Sequence, residues 1–207
     1  MYRTLHNVLY FWQMPRKIEF DYAQAIDRAT RLFWRKGYSR TSLRDLLKTM
    51  GIGEGSFYNT VKSKKHLYLE CLKNYEATVS RRRLNPLLSR SSVKEGIRAY
   101  FKSLLDELDD PKTPRVCLLL GSLSGDVMEE RELKKAVLTD MNALHRAFSE
   151  RMRVAKEKGE LPEDFNVQVV AQVIVTYLQG WSRAVLVPQS RAETERQIET
   201  LLTGLGL

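Results

Sequence analysis

Apolar residues recur along this chain at intervals of three and four and never in sustained alternation, so the pattern predicts helices and no strands. From about Asp21 to Lys36, the positions Tyr22, Ile26, Ala29 and Phe33 line one face of a first helix. Gly37 is placed to end it, and Arg35 and Lys36 suit the negative end of its dipole. Leu43, Leu46, Leu47 and Met50 give a second, short helix, with Thr41 or Ser42 as the hydroxyl cap and Gly51 at its left-handed end. A third helix follows at once, anchored by Ile52, Phe57 and Val61 on one side only. Its other side, Glu54, Gly55, Ser56, Tyr58 and Asn59, is polar, small or hydrogen-bonding and free to face a partner. Two short helices across a glycine turn, the second pinned from one side, have the shape of a helix-turn-helix.

The remaining periodicity predicts a second helical block and about nine helices in all. Ser63 caps a long helix to about Leu84, with Leu67, Cys71, Leu72 and Tyr75 inward, and Arg81-Arg82-Arg83 near its end reads as a solvated run. Ser92 and Glu95 form a capping-box pattern opening a helix to about Leu108. Further helices are expected over Arg115–Ser124, Asp126–Lys158, Asn166–Leu186 and Glu193–Leu205. Pro15, Pro86, Pro111, Pro114, Pro162 and Pro188 all read as joints, because proline costs about 3 kcal/mol inside a helix. Residues 1–14 carry Leu5, Val8, Leu9, Phe11 and Trp12 and admit two readings: a packed N-terminal extension, or a stretch preceding an alternative start at Met14. The chain is expected to be all-α, with an extension over 1–18, a helix-turn-helix domain over 19–65 and a helical domain over 66–207.

Charge sharpens this division. Of the 207 residues, positions 1–90 hold 18 Lys/Arg against 7 Asp/Glu, while positions 91–207 hold 16 against 18. The excess behind the net charge of +9 therefore lies wholly in the part with the helix-turn-helix, as a polyanionic partner requires. Cys71 and Cys117 are too few and too far apart for a disulfide framework. Together with His6, His66 and His145 they show no metal-ligand spacing, and no cofactor motif, phosphate loop or nucleophile–base pair appears. No apolar run reaches the ~20 residues of a membrane span, and the cytoplasm is the default location.

The stretch TSLRDLLKTMGIGEGSFYNTVKSKKHL, with the preceding ATRLFWRKGYSRTS, resembles the DNA-binding signature of the tetracycline-repressor (TetR) family over roughly residues 20–72. The resemblance implies a homodimeric transcriptional regulator, most simply a repressor, on a palindromic double-stranded operator. It places a phosphate contact and a possible base reader at Ser42 and Arg44. On the exposed face formed by Glu54, Gly55, Ser56 and Asn59, Asn59 and Glu54 have the chemistry to read adenine or cytosine edges and Gly55 allows close approach, while Tyr58 and Lys64 or Lys65 would hold phosphates. It also implies that the C-terminal block binds a small, hydrophobic effector and pairs its last two helices with a second copy. Tyr100, Phe101, Cys117, Met141, His145, Phe148, Tyr177 and Trp181 are the candidate effector lining; the other reading of each is ordinary core. RVCLLLGSLSG resembles the Gly-Cys-Leu-Leu segment of relatives that sense oxidants and electrophiles, with Val116 in place of the glycine, so Cys117 is also a candidate sensing thiol. Alternatives are an activator of the same family and, from another class, a helical carrier or enzyme, which no motif supports.

Overall fold

The computed structural model describes residues 21–123, 125–187 and 189–207; the readings of residues 1–14 fall outside it. The described residues form eleven α-helical segments and one π-helical turn, with no strand among them.

The first three helices are α1 (Tyr22–Lys36), α2 (Leu43–Met50) and α3 (Glu54–Val61). Asp21 caps α1 by accepting the Gln24 N–H, and Ala25, Ile26, Ala29 and Phe33 form its buried face. Tyr22, expected on that face, is exposed. Ser42, rather than Thr41, caps α2, and Asp45 completes a capping box by accepting the Ser42 N–H. Thr41 is instead buried and donates to the Gly37 carbonyl. Gly51, at φ +74°, turns the chain from α2 into α3.

The long helix of the sequence reading is a run of three segments: α4 (Lys64–Tyr75), a π turn (Glu76–Ser80) and α5 (Arg81–Ser89). Ser63 caps it, and Leu67, Tyr68, Cys71, Leu72 and Tyr75 face inward. It extends past Leu84 with Pro86 inside it, contrary to the reading of every proline as a joint. The lost backbone hydrogen bond is offset by packing against the next helix, α6 (Val93–Leu108). Leu87 is fully buried there, and the approach is so close that a Cβ on Gly96 would lie 2.6 Å from the Leu87 carbonyl oxygen.

The remaining segments are α7 (Leu118–Gly121), α8 (Asp126–Glu129), α9 (Arg131–Glu157), α10 (Val167–Ala184) and α11 (Arg191–Gly204). The expected helix over Arg115–Ser124 shrinks to one turn. The expected Asp126–Lys158 helix is broken at Glu130, whose backbone is extended. Ser92 makes no side-chain cap on α6; the Val93 N–H is taken by Glu160 at 2.9 Å, a residue 67 positions away.

Two contacts fix the DNA-side helices on the second block. The Trp34 indole N–H donates to the Val116 carbonyl at 2.6 Å, and Tyr68 and Ser122 share a buried hydroxyl bond of 2.5 Å. A cluster of Phe33, Tyr38 and Tyr68 rings, with centroids 4.8–6.2 Å apart, fills the space between. All of these elements share one continuous core.

Candidate nucleic-acid interface and cavity

Helix α3 is held by Phe57 and Val61, both fully buried, and by nothing on its outer face. Glu54, Gly55, Ser56, Tyr58, Asn59 and Thr60 are all exposed, and the Tyr58 ring stands edge-on to Phe57 with half its surface in solvent. Gly53 offers no side chain to cap α3, so the first-turn amides point outward unclaimed by any cap. Around this face Arg44, Lys48 and Lys62 are exposed and make no ion pair among the described residues. The Ser42 hydroxyl is occupied: it accepts from the Asp45 N–H and donates to the Asp45 carboxylate at 2.7 Å. Lys36 completes this cluster at 2.5 Å, and its hydrogen bond, with those of Ser42, holds the Asp45 acid far below the usual carboxylate range.

The two lysines opening α4 are both engaged. Lys64 lies over the Tyr38 ring, 4.4 Å from its centroid, and Lys65 pairs with Glu132 at 3.0 Å and Glu130 at 3.5 Å. Lys65 thus joins the start of α4 to the start of α9. Lys62, which the sequence reading passed over, has φ +66° and ψ −49° in a tight turn closed by the Ser63 N–H on the Val61 carbonyl. This turn sets the angle between α3 and α4, and no residue type in the sequence announced it.

In the second block, α5, α6, α9 and α10 and the 113–120 segment surround a cavity. Its empty space, open mouth included, is about 950 Å³. Tyr100, Cys117, Met141 and Trp181 line it, as does a leucine-rich wall including Leu104, Leu119 and Leu178. The other candidate lining residues lie elsewhere, because their helical positions turn them away. Phe148 is fully buried behind Tyr100 at 5.1 Å, and the His145 ring faces Ser149 along its own helix. Phe101 borders a groove toward α11, with the Tyr177 ring edge-on to it at 6.0 Å.

Charged groups that sequence reasoning had not placed here also line the cavity. Arg83, expected to be solvated, is turned inward, pairs with Glu107 at 2.7 Å and donates to the Tyr75 hydroxyl at 2.8 Å. That hydroxyl donates in turn to the Cys117 sulfur at 3.4 Å. Burial raises the Tyr75 phenol well above its ordinary range, so it remains a donor. Glu76 and Ser80, from the π turn, Thr113, Arg115, Asp140 and Ser182 complete the polar part of the lining. Such turns are enriched at functional sites. Cys71 is a different case: burial pushes its thiol up to about 12, and it is an inert core group. No group of side chains suited to a metal occurs among the described residues, and no described helix is long and apolar enough to cross a membrane.

A three-helix unit with an open reading helix, set on a helical block with its own cavity, defines a helix-turn-helix DNA-binding protein. Residues 25–71 match the family described as bacterial regulatory proteins, tetR family, and residues 94–201 match the tetracyclin repressor-like C-terminal domain. The chain belongs to the TetR family and is an HTH-type DNA-binding transcriptional regulator, not an enzyme. It is 33% identical over 162 residues to the uncharacterized HTH-type transcriptional regulator YezE of Bacillus subtilis, covering 78% of this chain and 84% of YezE. It is 23% identical over 164 residues to the repressor ComR of Escherichia coli K12, covering 79% and 78%. A double cysteine mutant of the TetR-family regulator CifR, solved with 26-base-pair operator DNA, shares the fold with a TM-score of 0.83 and 28% identity. That alignment covers 91% of this chain and 98% of CifR.

Proposed function

We propose that this regulator is a homodimeric repressor that holds a palindromic operator and releases it when a small, largely apolar effector fills the cavity. The observation that carries this reading is the unbroken helical run from Lys64 to Ser89. Its first turns pack on the DNA-side helices; its π turn and α5 line the cavity. The division between a reading unit over 19–65 and an effector and dimer unit over 66–207 therefore crosses one stiff element. A ligand that moves this helix shifts the reading helix with it. Release requires tighter effector binding to the DNA-incompetent state. The repressor activity named for ComR and the operator complex of CifR support the same reading.

On the DNA, Arg44, Glu54 and Asn59 are the base-reading side chains, Gly55 and Ser56 permit close approach, and Tyr58 holds a phosphate. Ser42 and Lys64 contribute by fixing α2 and Tyr38, and Lys65 reaches a phosphate only by leaving Glu130 and Glu132. The dimer forms through α10 and α11. Val169, Thr176 and Gly180 are exposed and Val173 half-exposed along one stripe of α10, next to a buried Tyr177 hydroxyl without a partner among the described residues. A two-fold dimer sets its reading helices about one DNA turn apart, ~34–36 Å. Operator titration with and without effector tests the model: unchanged operator affinity at saturating effector contradicts release.

The Tyr75–Cys117 bond favours a second reading, a thiol sensor. Cys117 borders the cavity, and the Arg83–Tyr75 pair supplies the donor a thiolate needs. Iodoacetamide labelling checks it. Rapid modification that releases operator, slowed in Tyr75→Phe and absent in Cys117→Ser, supports the sensor; labelling that leaves operator affinity intact excludes it.

A further inference from the structure

The cavity lining is mostly apolar, and the charges on it do not cancel. Arg83 is committed to Glu107. Glu76 makes its ion pair on the solvent side, with the exposed Arg81 at 3.2 Å. Asp140 lines the same cavity, is half-buried and has no ion-pair or hydrogen-bond partner among the described residues. Arg115, the remaining cation of the lining, is exposed and makes no ion pair with Asp140. A second, independent group is also unmatched: Trp181 is more than nine-tenths buried, and its indole N–H has no partner. A buried donor without an acceptor and a half-buried carboxylate without a cation each cost free energy that a bound molecule would recover.

We propose that the cavity is built for a lipophilic cation: an apolar body against the leucine wall, a positively charged nitrogen at Asp140 and Glu76, and an acceptor oxygen on the Trp181 indole N–H. Tyr100 and Trp181 in the lining add the aromatic surface that quaternary ammonium groups favour. Burial, then the neighbouring Glu76 carboxylate, raises the Asp140 acid, and a cation between the two relieves both effects. The assignment deepens the effector reading above and rests on this cavity being the effector site.

Benzoylcholine and its uncharged carbon isostere, 3,3-dimethylbutyl benzoate, differ only by nitrogen in place of carbon. Calorimetric titration of both into the full-length protein isolates the charge. The expected result is benzoylcholine binding at least about tenfold tighter. Asp140→Asn abolishes the difference by weakening benzoylcholine, and thermal unfolding of the variant shows that it is folded. Trp181→Phe weakens both compounds together. Equal binding of the two by the unmodified protein overturns the cation assignment while leaving an effector cavity. A preference that survives in Asp140→Asn overturns the role of Asp140, and failure of both compounds to bind overturns the cation assignment, while the effector reading is judged separately by operator titration.

Discussion

The reading unit and the cavity block treat charge in opposite ways. Around α3, Arg44, Lys48 and Lys62 stand in solvent without carboxylate partners among the described residues. In the second block, Arg83 pairs with Glu107, Arg98 with Glu199, and Arg191 with Asp106 and Asp109. Unpaired cations on an open face are available to phosphate; paired cations have already spent their donors on holding helices together. The two regions also differ in what assembles them. The reading face comes from residues within one local stretch, whereas the cavity needs side chains brought together from across the second block.

The largest effect expected is at the one-sided anchor of the reading helix. Phe57→Ala empties a fully buried site in an eight-residue helix and should cost about 3–5 kcal/mol, read by denaturant unfolding. Arg44→Ala sharpens the contrast, because its side chain is exposed and makes no ion pair among the described residues. Operator affinity should fall by about 1–3 kcal/mol, with stability unchanged. Gly96→Ala tests the second block: the added methyl meets the Leu87 carbonyl, and overpacking of about 1–3 kcal/mol should appear in thermal unfolding. Lys62→Val should cost about 1–3 kcal/mol, since a β-branched residue is strained at φ +66°, while Lys62→Gly is tolerated. The smallest effect concerns Asp45, whose acid is depressed in the folded state. Its contribution is present above the unfolded value of about 4 and is lost as pH falls below it. Asp45→Asn should therefore lower stability near neutral pH and flatten the acid limb, measured by thermal unfolding between neutral and acidic pH.

The same contrast explains what could be read in advance. Ser42, Gly51 and Ser63 act through neighbours one turn away, so their residue types disclosed the three-helix unit directly. The inward turn of Arg83 depends on Glu107, 24 residues away, and a run of three arginines gives no sign of which one finds it. The cap on α6 comes from Glu160 instead of the nearby Ser92 pattern, and Pro86 stays helical because Leu87 and Gly96 interlock. Half of the eight candidates for the cavity lining, Phe101, His145, Phe148 and Tyr177, missed it for a related reason. Periodicity identifies a buried face, but packing decides whether that face meets a void or another side chain.

Specific operator recognition by this regulator requires base reading by α3. Selection of genomic DNA fragments bound by the purified protein, at one fixed salt concentration, measures it directly. The account predicts enrichment of one palindrome that Asn59→Ala abolishes while the protein stays folded. Binding that enriches no sequence and only fades as salt rises would contradict it, reducing the exposed basic face to a grip on phosphate alone.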